Sequence, residues 1–153
     1  MSNKLNLKSS SRYAAIQALY GFNFSNNLDN IEKYLLNNND FILFFDFGSR
    51  INKKNFNKKF LLEILETFND KKDTIDELII SNLENNWTIE RLPKVLLAIL
   101  RVAISEMIFS KNISIGIIVS EYLMFTESFY TEKECSFANA ILVSIHWLLA
   151  SFT

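Results

Sequence analysis

Three glycines and one proline in 153 residues leave this chain few places to make the tight reversals that hairpins and sheets require. The scarcity points away from an all-β fold. Apolar residues instead recur at spacings of three and four, the period of one helix face. Ala15, Ala18, Leu19 and Phe22 keep that spacing. So do Phe60, Leu61, Ile64, Leu65 and Phe68, then Ile75, Leu78, Ile79 and Leu83, and finally Phe137, Ile141, Ile145, Leu148 and Phe152. Turns fall to the 18 asparagines, whose side chains favour caps and loops over helix interiors. With 49% of its residues hydrophobic, the chain has enough apolar mass for a sizeable core, which argues against disorder.

Ser9, Ser10 and Ser11 offer N-caps to a first helix running to about Phe24. A short second helix is expected over Leu28–Leu36, ending in Asn37-Asn38-Asn39. Phe41, Leu43, Phe44, Phe45 and Phe47 then read as helix or packed loop, since no partner strand is in sight. A third helix begins at Phe60 and ends near Asn69, and a fourth is closed by Asn85-Asn86. Pro93 suits the first turn of a fifth, which reaches Phe109 with Lys94, Arg101 and Ser105 on a thin polar stripe and nearly everything else apolar. A helix so nearly apolar all round is surrounded by neighbours, which makes it the hub of the second half. Ile115–Phe129 is a sixth helix, and the pattern from Phe137 a seventh. The expectation is an all-α fold of about seven helices in two packed three-helix-type bundles. The subdomains are approximately 1–86 and 87–153.

The net charge of −1 creates no strong field toward nucleic acid or membrane, but the charge is unevenly spread. Residues 1–28 hold Lys4, Lys8 and Arg12 without an acid, and residues 50–59 hold Arg50, Lys53, Lys54, Lys58 and Lys59 without one. Cys135 stands alone, so no internal disulfide and no cysteine metal cluster is expected. The polar N-terminus has no apolar signal region, and neither long apolar run reads as a membrane span, which places the chain in the cytoplasm. His146, the sole histidine, lies inside an apolar helical pattern and reads as a core or interface residue. No Glu-x-x-His pair, glycine-rich phosphate loop or H-E-x-x-H motif is present. Glu127, Glu132 and Glu134 could hold a cation, but acids at a helix start are commonly caps. No enzyme, cofactor or metal is expected.

Three segments carry a resemblance. Residues 10–20, Ser-Ser-Arg-Tyr-Ala-Ala-Ile-Gln-Ala-Leu-Tyr, are one. Trp87-x-x-x-Arg91-Leu92, running on to Leu100-Arg101-Val102-Ala103-Ile104-Ser105-Glu106, is the second. The third holds Val119-Ser120-Glu121-Tyr122, Ser128-Phe129 and Phe137-Ala138-Asn139-Ala140-Ile141-Leu142. In order and spacing they resemble the NusB family of bacterial transcription antitermination factors. The resemblance implies binding of boxA-type single-stranded leader RNA on ribosomal RNA operons. It also implies a small ribosomal-subunit protein that doubles as NusE, the RNA polymerase antitermination complex as the wider partner, and a possible homodimer. Carried over position by position, it implies RNA contacts at Lys8, Ser10, Arg12, Gln17, Tyr20 and Phe137. Glu90, Lys94, Arg101 and Glu106 are implied toward the protein partner.

The residues fit that chemistry, since single-stranded RNA is read by stacking on aromatic rings and by basic contacts to phosphate. Core packing is the alternative for Tyr20 and Phe137, a solvated helix start for Arg12, and an internal pair with Glu121 or Glu106 for Arg101. The chain also departs from the family. Lys8-Ser9-Ser10-Ser11-Arg12 stands where many members have a run of arginines, and Ala140 and Val143 replace Gly and Asp. Each missing phosphate contact lowers the salt slope by roughly 0.7 on a single strand. Weak RNA binding that depends on the protein partner is therefore expected, with the Arg50–Lys59 segment as a possible electrostatic substitute. Two other readings stand beside it. One is a helical protein-interaction module that has lost RNA binding. The other is the accessory domain of an RNA methyltransferase, which needs a catalytic domain with nucleotide-binding glycines.

Overall fold

In the computed structural model, residues 3–25, 56–84 and 86–151 are described, with side chains from residue 7 to residue 22 in the first stretch. The described residues form five α-helices: α1 Asn3–Ser25, α2 Lys58–Ser81, α3 Lys94–Phe109, α4 Ile115–Phe129 and α5 Glu132–Ser151, with a 3₁₀ turn at Ile89–Arg91. No strand occurs among them. The expected helix at Leu28–Leu36 and the Phe41–Phe47 segment lie outside the described residues.

The three serines do not start α1; they lie inside it. The Ser11 hydroxyl donates to the Leu7 carbonyl one turn back at 2.8 Å and accepts from the Asn57 N–H at 2.7 Å. Such back-bonding lets serine sit mid-helix, and here it also fixes where the next helix begins. Asn57 caps α2 by accepting the Phe60 N–H at 3.0 Å.

The third and fourth helices expected from the sequence are one run, α2, bent at Lys71 (φ −119°, ψ 18°). The bend lets Phe60, Leu61, Ile64, Leu65 and Phe68 before it and Ile75 and Ile79 after it all reach the core. Asn82 closes α2 in place of Asn85-Asn86, its amide donating to the Leu78 carbonyl at 2.8 Å. Pro93 opens α3 as expected, and every residue from Leu96 to Met107 is buried. The hub is wider than the sequence indicated, because α3 packs on α1 and α2 of the first half as well as on α4 and α5. Ser105, on the expected polar stripe, is buried and donates to the Arg101 carbonyl of its own helix at 2.7 Å. Helix α4 keeps the bounds read from its periodicity.

Helix α5 starts at Glu132, five residues before Phe137, where the Glu134 carboxylate reaches back to Thr131. The backbone N–H and hydroxyl of Thr131 both donate to Glu134 Oε1, at 3.2 and 2.8 Å. One acid of the Glu127–Glu134 cluster is thus a cap, and these hydrogen bonds hold its pKa below the usual value. By length and composition α5 could cross a bilayer. It packs instead on α3 and α4, burying Ala138, Ile141, Leu142 and Ile145.

Candidate nucleic-acid and partner interface

Arg12 is not a solvated helix start: it is 5% exposed and enters a buried network that ties α1 to α3 and α4. Its Nε and Nη2 donate to the two oxygens of Glu106 at 2.8 and 2.7 Å, a bidentate fork. Nη1 donates to Glu121 at 2.7 Å, and Ser9 Oγ donates to the same carboxylate oxygen at 2.7 Å. Tyr122 completes the set, its hydroxyl donating to Glu106 at 2.5 Å. Burial alone would lower the Arg12 pKa, but the bond to Glu106 and the surrounding charges push it above its ordinary value, so the guanidinium stays charged. Burial, reinforced by Glu106, pushes the Tyr122 phenol well up, so it remains a donor. One cation between two carboxylates leaves the network one negative charge.

Beside this network runs a groove whose exposed rim is basic. A cavity of about 1040 Å³ is lined by Lys8, Arg12 and Lys111, by the network carboxylates Glu106 and Glu121, and by Ser110, Ser114 and Ser120 among others. A second, of about 300 Å³, shares Lys8 and Ser110 with it and adds Asn57, Lys59, Phe60, Glu63 and Phe109. Lys8, Lys59 and Lys111 are exposed. The ammonium of Lys8 lies 5.2 Å from the Phe60 ring centroid, near enough for cation–π attraction to orient it over the groove. Lys111 was missed by sequence reasoning. Its only signal there is a lone cation in a short turn between two apolar helices. Of the basic segment at 50–59, Lys58 and Lys59 are described and exposed; Arg50, Lys53 and Lys54 lie outside the described residues.

The remaining RNA-assigned positions divide. Ser10 and Gln17 are buried, at 4% and 5% exposure, so neither side chain offers a surface. Tyr20 is half-buried and packs against the core, within electrostatic reach of Tyr130. Burial raises the Tyr130 pKa, and its oxygen accepts the Leu96 N–H at the start of α3 at 3.2 Å. Phe137 is half-buried and lines a separate cleft of about 480 Å³ with Trp87, Leu92, Pro93, Leu96 and Ile141. Lys8 and Tyr20 are twelve residues apart, about 18 Å along α1. The two ends of the assigned surface are therefore distinct places.

The partner-assigned set divides too. Glu90 and Lys94 are exposed at the entrance to α3. Arg101 and Glu106 are buried, at 7% and 1%. Arg101 pairs with neither Glu121 nor Glu106, the expected partners, but with Asp76 of α2, Nε to Oδ1 at 3.0 Å and Nη2 to Oδ2 at 2.9 Å. Its guanidinium also lies 5.8 and 5.4 Å from the Phe22 and Phe68 ring centroids. Two arginines thus fasten α3 from within, one to α1 and one to α2. Half-buried His146 has Nε2 3.0 Å from the Ile113 carbonyl, a contact that requires a proton on that nitrogen and ties α5 to the α3–α4 turn. Burial raises the pKa of half-buried Cys135 and so disfavours a reactive thiolate. No group of three or more His, Cys, Asp or Glu able to hold a metal ion occurs among the described residues.

Comparison with known proteins assigns this architecture. A sequence model of the NusB family matches residues 9–146. The chain is 36% identical over 135 residues to the transcription antitermination protein NusB of Clostridium botulinum, covering 88% of this chain and 94% of that one. It is 34% identical over 149 residues to NusB of Rickettsia bellii, covering 94% and 92%. Among solved structures it is similar to T. maritima NusB, with a TM-score of 0.71, 26% identity, and 91% and 89% of the two chains covered. It also shares its fold with a chain in the crystal structure of a plectonemic RNA supercoil, with a TM-score of 0.73, 20% identity, and 95% and 97% covered. The family match over residues 9–146 and the 34–36% identity to relatives covered over most of their length place the chain in the NusB family of non-enzymatic transcription antitermination proteins.

Proposed function

We propose that this chain binds boxA-type single-stranded leader RNA together with the ribosomal-subunit protein NusE, acting in antitermination on ribosomal RNA operons. The observation that carries the reading is the groove of Lys8, Lys59 and Lys111 along the start of α1. Its three cations face solvent, unlike Arg12, whose charge is matched inside the fold. Phosphates would follow these lysines, while Tyr20 and Phe137 supply partly exposed rings for bases or for the protein partner. In this reading Arg12 acts from within, holding α1 so that Lys8 overhangs the groove. Glu90 and Lys94 offer the partner-facing charges.

Three exposed lysines are few for RNA binding, and one stacked ring contributes about 1–3 kcal/mol. The isolated chain should therefore bind weakly and gain affinity when NusE is added. The test is a fluorescence-anisotropy titration of boxA-type RNA at several salt concentrations, with and without NusE. Lys8→Ala and Lys111→Ala should each reduce the salt slope by roughly 0.7. Tight, salt-insensitive binding without NusE would sink the proposal. NusE binding with no RNA contribution at any salt would favour the module that has lost RNA binding.

A further inference from the structure

The buried network beneath α1 leaves one carboxylate oxygen unused. Glu106 alone balances the Arg12 charge, through bonds at 2.8 and 2.7 Å, yet Glu121 stands beside it. Only one of the Glu121 oxygens is engaged: Oε1 accepts from Arg12 Nη1 and from Ser9 Oγ, both at 2.7 Å. Oε2 accepts no hydrogen bond among the described residues. Nor is it sealed in the core. The Glu121 side chain is 18% exposed, against 1% for Glu106, and it lines the cavity of about 1040 Å³ with Lys8, Lys111 and Ser120. Because Arg12 and Ser9 grip Oε1 from two sides, the carboxylate is held in one orientation. Its second oxygen is then a fixed acceptor on the groove wall.

A negative group in a groove rimmed by lysines repels phosphate, so the backbone of a bound strand gains nothing from it. A base edge does gain. We propose that Glu121 is a specificity-determining residue of the groove, its Oε2 accepting the N4 amino group of an unpaired cytosine. The inference rests on the RNA-binding reading of the groove and names a base that the groove would select. Carboxylates match the cytosine amino group as acceptor to donor, and single-stranded RNA presents that edge freely.

Cytosine is the base whose pairing edge runs donor, acceptor, acceptor, through N4, N3 and O2. A single free acceptor among the donors Lys8, Lys111 and Ser120 complements that order. Uracil turns the carbonyl O4 toward the carboxylate instead. Guanine places a second donor where the lysines also donate, and adenine has one ring acceptor beside its amino group in place of two. Clamping α4 to α1 needs only Oε1, so a purely structural Glu121 would serve every RNA sequence alike.

Fluorescence-anisotropy titration of the full chain with oligocytidine and oligouridine of equal length tests this at low salt, where the lysines hold any single strand. The unmodified chain should bind oligocytidine about tenfold tighter, the low end for one hydrogen bond to a charged group. An oligomer of pyrimidin-2-one, which is cytosine without its amino group, should lose that tenfold. Glu121→Gln should reverse the preference: its amide oxygen stays with Arg12 and Ser9, and its NH₂ then faces the groove and donates to uracil O4. A circular dichroism spectrum checks that this variant folds; if it does not, the amino-group deletion on the unmodified chain decides alone. Equal affinity for the two homopolymers overturns the proposal, as does indifference to the missing amino group, or a folded Glu121→Gln that weakens both strands by the same factor. Salt-dependent binding without base preference removes only this inference, whereas no binding of any strand removes the RNA reading with it.

Discussion

Replacing Glu106 by Gln keeps its shape and removes its charge, which makes it a sharp probe of the network beneath the basic groove. The carboxylate accepts three hydrogen bonds, two from Arg12 and one from Tyr122. An amide has one accepting oxygen, so its NH₂ must face an Arg12 donor in either orientation. Removing one member of a buried pair costs about 3–5 kcal/mol, because the other is left buried and unmatched. Glu121 still balances Arg12, at 2.7 Å, so the low end of that range applies, about 3 kcal/mol. In a domain of this size that corresponds to a fall in Tm of about 6–12 °C. Urea denaturation followed by circular dichroism reads the loss. Arg12→Met should be at least as damaging, since it leaves two carboxylates without their cation. The double variant should recover about 2–3 kcal/mol relative to the sum of the singles, because each single strands a group that the double removes. Single variants within about 1 kcal/mol of the parent, with additive effects, would refute the reasoning and return Arg12 to the surface.

Other expectations follow from the same contacts. Arg12→Met, under conditions where it remains folded, should leave the salt slope of RNA binding unchanged, whereas Lys111→Ala should lower it; equal effects in the same titrations would contradict the burial of Arg12. The folded state raises the Tyr122 and Tyr130 pKa values, so their contribution is intact below about pH 10 and is lost as pH rises beyond it. Unfolding free energies from urea titrations should therefore decline above about pH 10, by up to about 1.4 kcal/mol per pH unit for fully buried Tyr122 and by less for half-buried Tyr130, and Tyr122→Phe should flatten that decline. Ile99, fully buried in the hub, should cost about 2–5 kcal/mol on truncation to Ala by the same assay. Thr131→Ala removes the hydroxyl donor to Glu134 at the start of α5 and should lower the urea midpoint only slightly, because the Thr131 N–H still reaches the same carboxylate.

What the sequence made legible was mainly periodic. The bounds of α4 and the opening of α3 at Pro93 come directly from apolar spacing and from proline's fixed φ. The serines at 9–11 misled because a hydroxyl serves equally well as a cap and as a donor to the carbonyl one turn back; which it does depends on Asn57, 46 residues away. The kink at Lys71 was read as a chain break at Asn69, since a bend and a loop interrupt the period in the same way. The charged residues were legible in kind but not in partner. Nothing local to Arg12 announces Glu106 or Glu121, which lie 94 and 109 residues on. Asp76 for Arg101 is likewise settled by how α2 lies on α3. The groove was half visible: Lys8 and the 50–59 segment carried a basic signal, whereas Lys111 acquires meaning only when its turn folds beside α1.

The span of that buried fork also orders events in the cell. Arg12 leaves the ribosome 94 residues ahead of the carboxylate that will hold it, which at bacterial elongation rates is about 5–20 s. A lone helix is marginal in water. For that interval the segment that will form α1 is an unclamped, acid-free stretch bearing Lys4, Lys8 and Arg12. It is open to proteases, to chaperones or to nearby nucleic acid until Glu106 and then Glu121 emerge and draw the arginine in.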